Sequence, residues 1–104
     1  MSTECGGRRN IMKKQDVKEG RVIVVIRDEN YAGLKSGTVA EIINISHISV
    51  GCARCNCIHN LWPMFYNKKG DHIDCCYKRL RLATEREEFL YHIFGGYNIN
   101  ETNI

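Results

Sequence analysis

Six cysteines and four histidines stand in a chain of 104 residues, and their spacing decides what chemistry they could do. Cys52, Cys55 and Cys57 form a C-x-x-C-x-C run, His59 follows, and His72, Cys75 and Cys76 come later. Zinc takes four borderline or soft ligands in a tetrahedron, often as two short-spaced pairs on separate turns. Cys52 and Cys55 make one such pair, and His72 with Cys75, or Cys75 with Cys76, could make the other. The step of 17 residues from Cys55 to His72 lies in the range of zinc ribbons. One structural zinc on Cys52, Cys55, His72 and Cys75 is therefore one reading. Free thiols are the other. If residues 51–57 are strand, Cys52 points away from Cys55 and Cys57, no knuckle glycine follows Cys55, and small apolar cysteines suit a core. A redox pair is a third. Nucleophilic catalysis would need Cys57 with His59, or Cys76 with His72, as thiolate and base. The sequence offers no oxyanion-hole glycines, phosphate-binding loop, paired catalytic carboxylates or nucleotide fingerprint. A non-enzyme is expected, with no small-molecule substrate.

The other residues with binding chemistry are basic and aromatic. Lys68 and Lys69 sit in an Asn-Lys-Lys-Gly-Asp turn, and Lys78, Arg79 and Arg81 follow. In a hairpin these could form one strip, with Trp62, Phe65 and Tyr66 beside it, and bases can stack on aromatics next to such a strip. Trp62 and Phe65 are equally good core residues, and lysines in a turn equally good ordinary surface. The net charge of +3 permits nucleic acid without requiring it.

The totals bound the remaining classes. The length allows one domain with a single core. The composition, 43% hydrophobic and 26% charged, is that of a globular protein. No apolar run of ~18 residues exists for a membrane helix, and the first ten residues carry no apolar signal segment. A cytoplasmic protein with reduced thiols is the expectation.

The elements that must position these residues read as follows. Residues 1–11 form a polar, disordered lead, with Met12 as an alternative start. Arg21 to Arg27 is a β-branched, nearly all-apolar strand. A loop from Asp28 carries Gly33 and Gly37, and Thr38 to Ser46 is a second strand. A third runs from Ile48 to Cys52. The segment 53–71, with the only Pro and the only Trp, reads as a functional loop or an irregular pair of short strands. His72 to Leu82 alternates like a last strand. Thr84 and Glu87 form a capping box that starts a helix over about 85–94. Its Phe89, Leu90, Ile93 and Phe94 stripe is expected to dock on the sheet, and Gly95 and Gly96 end it. Residues 97–104 read as a flexible polar tail.

The stretch VKEGRVIVVIRDENYAGLKSGTVAEII resembles a KOW motif: Gly20 before the first strand, Tyr31 and Gly33 in the loop, Gly37 opening the next strand. That motif is the first hairpin of small SH3-like barrels in ribosomal proteins and Nus-type elongation factors. YKRLRLATEREEF is similar to the closing strand and acidic helix of small phage-encoded SH3-like barrel proteins. The resemblance implies a mainly β, SH3-like barrel of four or five strands over residues 12–96 with a short C-terminal helix, in a bacterial host cell. It implies a binding module that occludes nucleic acid or a host nucleic-acid-processing complex. The alternative is a pure protein-interaction module or inhibitor of a host protein. The candidate contact residues are Tyr31, Trp62, Tyr66, Lys68, Lys69, Lys78, Arg79 and Arg81.

Overall fold

A computed structural model describes residues 11–28, 34–47, 49–52, 57–66, 70 and 72–101. Among them the chain is mainly β with one α-helix. Strands β1 (Val22–Val25), β2 (Thr38–Glu41), β3 (Asn44–Ser46), β4 (Val50–Cys52), β5 (Cys57–His59), β6 (Trp62–Tyr66), β7 (His72–Asp74) and β8 (Leu80–Leu82) precede helix α1 (Glu85–Phe94). The two-residue strand β9 (Tyr97–Asn98) follows it. They pair as three antiparallel sheets, ordered β8-β1-β2-β9, β3-β6-β7 and β4-β5. No sheet closes on itself among the described residues, so the mainly β part of the expectation holds, as small compact sheets with one helix, while a closed SH3-like barrel is not seen.

The β1–β2 hairpin forms as its apolar runs dictate, with Ile23 opposite Ala40 and Val24 opposite Val39. All four residues of β1 are buried, because this sheet is covered on both faces. Ile23, Val25, Ala40 and Ile42 join Phe65, Ile73, Cys75, Leu80, Met12, Val17 and Leu34 in the main core. Val22, Val24 and Val39 face the other way, against Ala83, Tyr91, Tyr97 and Ile99. A strand with two buried faces has no polar side to alternate with, hence the continuous VIVV.

The expected second strand, Thr38 to Ser46, instead divides at Ile42 and Ile43. The Ile42 N–H donates to Arg21 O at 2.9 Å, on the β1 side, while the Ile43 N–H donates to Met64 O at 2.8 Å, on β6. The chain thus passes from the first sheet to the second within two residues, as strands do at the corners of packed sheets. The expected last strand, His72 to Leu82, also divides. Pro63 lies in the central strand β6 and has no N–H to donate. Its carbonyl still accepts from the Cys75 N–H at 3.3 Å, but the return bond cannot form. β7 ends at Asp74, and a 3-10 turn, Tyr77–Arg79, leads into β8.

Two further expectations are corrected. Residues 97–101 are not a loose tail: Tyr97 and Asn98 pair with Val39 and Thr38, and Ile99–Glu101 form a 3-10 turn. Asn98 is buried and donates to Ser36 O and Thr38 Oγ1, and Asn100 donates to Ser36 O. At the other end Ile11 bridges to Arg81 and Met12 is buried, its N–H on Leu80 O. The rest of the expected lead, residues 1–10, and residues 102–104 lie outside the described residues.

Helix α1 starts at the predicted capping box. Thr84 Oγ1 accepts from the Glu87 N–H at 3.1 Å, and Glu87 Oε1 accepts from the Thr84 N–H at 2.9 Å. Its docking face is not the predicted stripe. Leu90 and Tyr91 are half-buried, Tyr91 against the sheet, while Phe89, Ile93 and Phe94 are 63%, 57% and 57% exposed. The helix is seated instead by Tyr91 packing on the sheet and by Tyr97, whose hydroxyl donates to Glu87 O at 3.2 Å. Gly95, at φ 77°, stops it, its N–H bonding Tyr91 O.

Candidate functional site

Two residues of the predicted basic strip, Arg79 and Arg81, are drawn into the fold. Arg79 is 5% exposed, and its Nη1 donates to Asp28 O at 3.4 Å across the neck of the β1–β2 loop. Arg81 forks onto Glu87, with Nη1–Oε1 at 2.8 Å and Nη2–Oε2 at 2.7 Å. Hydrogen bonding from Arg81 is the main reason the Glu87 carboxyl lies below its ordinary pKa, against an opposing push from burial. Lys78 is exposed on the 3-10 turn. Lys68, Lys69 and Tyr31 lie outside the described residues. Asp28 and Ser36, at the neck of the β1–β2 loop, bond each other: the Ser36 N–H donates to Asp28 Oδ1 at 2.7 Å.

The aromatic candidates divide between core and surface. Trp62 is 7% exposed, packs on Cys76 and donates its indole N–H to His59 O at 3.2 Å. His59 is buried between the rings of Trp62 and Tyr77, at centroid distances of 5.7 and 5.1 Å. Phe65 is fully buried. Tyr66, by contrast, is 51% exposed and stacks on His72 at 4.7 Å.

The candidate zinc ligands occupy different settings. Cys75 packs in the main core, and His72 lies on the surface against Tyr66. Cys75 and Cys76 are both buried and serve different clusters, Cys76 joining Trp62. In the β4–β5 hairpin the backbone sets Cys52 opposite Cys57. Cys55 and the side chains of Cys52 and Cys57 lie outside the described residues. Among the described residues no three His, Cys, Asp or Glu side chains are grouped to hold one ion.

What sequence reasoning missed is a cleft of about 400 Å³ at the edge of β2. Thr38, Val39, Ala40 and Glu41 form its floor, and Ile43, Tyr66, Tyr91, Gly96 and Tyr97 its walls. It exists because β2 and β3 form one bent edge with two short partners. β9 covers Thr38 and Val39, and β6 covers Asn44 to Ser46. Nothing among the described residues pairs with Glu41 on that edge. In an antiparallel ladder residues alternate in the direction of their backbone groups. Since Ile42 bonds toward β1, the Glu41 N–H and C=O face the gap. Burial first, and then the nearby Glu41 carboxylate, push the Tyr91 phenol above its ordinary pKa. Phe94 meets Tyr97 edge-on at 6.3 Å, which joins the cleft to the exposed helix face. The signal for this site is tertiary: Glu41, Tyr66, Tyr91 and Tyr97 share no sequence spacing.

No helix among the described residues is long and apolar enough to cross a membrane. No protein-family model, curated protein or solved structure matches the chain.

Proposed function

We propose that this chain is a non-catalytic protein-interaction module whose partner docks across the Tyr66–Tyr91–Tyr97 cleft and the adjoining face of α1. The observation that carries the reading is the pattern of exposure. Tyr66, Phe89, Ile93 and Phe94 are all more than half exposed, whereas Arg79 and Arg81 bond within the fold. Interfaces are enriched in such aromatic anchors and depleted of charge at their centre. The resemblance to a KOW-like barrel agrees with the antiparallel β1–β2 hairpin and with the strand that passes between sheets at Ile42 and Ile43. A bacterial cytoplasmic setting and a phage source belong to that same resemblance.

Nucleic acid is the second reading, favoured by the exposed Tyr66–His72 stack on which a base could lie, with Lys78 for phosphate. The discriminating experiment selects binders from a displayed random-peptide library against the full chain and, in parallel, measures binding of single-stranded RNA and DNA at low and moderate salt. Peptides that lose binding to the double variant Phe89→Ser/Ile93→Ser, or to Tyr66→Ala, support the protein module. Tight nucleic-acid binding that falls steeply with salt, with no peptide selected, would replace it with the second reading.

A further inference from the structure

We infer that the cleft at Glu41 receives a cationic side chain, arginine or lysine, presented by the protein partner. The inference rests on the protein-interaction reading above and names the chemistry of its one charged contact. Three observations lead to it. First, among the described residues that line the cleft, Glu41 is the only ionisable side chain other than tyrosine, and none is basic. The Tyr91 hydroxyl hydrogen-bonds this carboxylate but brings no positive charge, so the negative charge in this concave, part-apolar setting is matched by a cation.

Second, three of the lining residues are tyrosines, Tyr66, Tyr91 and Tyr97. A guanidinium or ammonium group over a tyrosine face is attracted by the ring quadrupole, more strongly where water is excluded. The apolar stem of the same side chain would pack against Ile43 on the cleft wall, as long cationic side chains do when their heads find a polar site. Third, the Glu41 carbonyl faces the gap between the ends of β9 and β6, so a guanidinium entering there meets a backbone acceptor beside the carboxylate. The raised Tyr91 phenol stays protonated and leaves its ring a neutral π face. The two flanking strands also limit the occupant. A continuous partner strand laid along β2 would collide with β9 at Val39 and with β6 at Asn44, whereas one projecting side chain fits between them.

The test uses the full chain and two uncharged-versus-charged twins, N-acetyl-arginine methylamide and N-acetyl-citrulline methylamide. Binding is followed in amide and aromatic NMR spectra. The expected result is that the arginine compound shifts Glu41, Gly96, Tyr97 and the rings of Tyr66 and Tyr91, while the citrulline compound does not. Glu41→Gln should weaken arginine binding at least tenfold with the remaining spectrum unchanged. Should Glu41→Gln disturb the fold, Tyr66→Ala, on the exposed rim, should weaken it several-fold. Equal shifts from both compounds, shifts confined to other surfaces, or undiminished binding by the folded variants overturn the inference. Failure of the broader reading looks different. Library peptides that bind the helix face without any arginine or lysine sink the cation site and leave the protein module standing. Arginine shifts at the cleft with no peptide or protein ligand sink the module.

Discussion

At the residue scale, the most consequential pairing is Arg81 with Glu87. It joins β8 to the first turn of α1 through two parallel hydrogen bonds, and Glu87 also closes the capping box with Thr84. Both side chains are largely shielded, at 15% and 17% exposed. The pH consequence follows from the depressed Glu87 pKa. A carboxyl held lower in the folded than in the unfolded chain contributes stability that is fully present above its unfolded value. That contribution is lost as pH falls through the lower, folded value. Melting curves of the native chain and of Glu87→Gln should therefore be well separated at neutral pH and converge as pH falls below the ordinary carboxylate range. Thr84→Ala removes the acceptor of the Glu87 N–H and should cost about 1 kcal/mol at any pH, as for other helix caps. If Glu87→Gln melted in parallel with the native chain at every pH, the fork would be an idle surface pair.

At the element scale, the turn Lys35–Gly37 and the C-terminal segment lock each other. Gly37 sits at φ 93°, and a Cβ there would come within 2.7 Å of Asn100 Nδ2 and 2.9 Å of Asn98 Oδ1. Gly37→Ala is expected to destabilise by roughly 1–3 kcal/mol, combining left-handed strain with displacement of the asparagines that bond Ser36 O. The measurement is urea denaturation, with hydrogen exchange at Ile99, whose N–H donates to Gly37 O, as the local readout. Gly20→Ala has the same backbone strain at φ 87° but open space around its Cβ, so it isolates the conformational part. This clamp also shows where sequence reading ended. The β1–β2 hairpin and the Thr84–Glu87 helix start were legible because each depends on neighbours within a few residues: two β-branched runs, a glycine at the turn, a cap three residues from its partner. The fate of residues 97–101 was not, because a polar YNINE segment becomes ordered only through Ser36 and Thr38, some sixty residues earlier. The break of the expected strand at Asp74 depends on the missing N–H of Pro63 in another strand. The exposed face of α1 depends on which of two apolar stripes the sheet can accept, and Tyr91 outcompeted Phe89 for that place. The cleft was invisible for the same reason, since it is the space left between the ends of β9 and β6.

At the scale of the whole molecule, the protein holds its apolar residues in two populations that a pair of experiments can separate. Phe65 is fully buried in the core shared by the two larger sheets, and Phe65→Ala should cost about 3–5 kcal/mol, a large part of the stability a chain of this size can have. Phe89 and Ile93 lie four residues apart on the outer side of α1 and are mostly in water already. Removing them gives up little burial, so Phe89→Ser/Ile93→Ser should change urea stability by no more than about 0.5 kcal/mol per site. If these side chains are kept outward for a partner, the same double variant should lose partner affinity by tenfold or more, as interface anchors do. The two measurements must come from one preparation, because loss of binding counts only where stability is retained. A double variant as unstable as Phe65→Ala would mean that the helix face is structural after all. A stable variant that binds selected peptides undiminished would move the contact surface away from α1. Only retained stability with lost binding assigns the outer face of α1 to recognition. In that case affinity should also depend weakly on salt, since the anchors are aromatic and aliphatic, and only the contact at Glu41 would be screened.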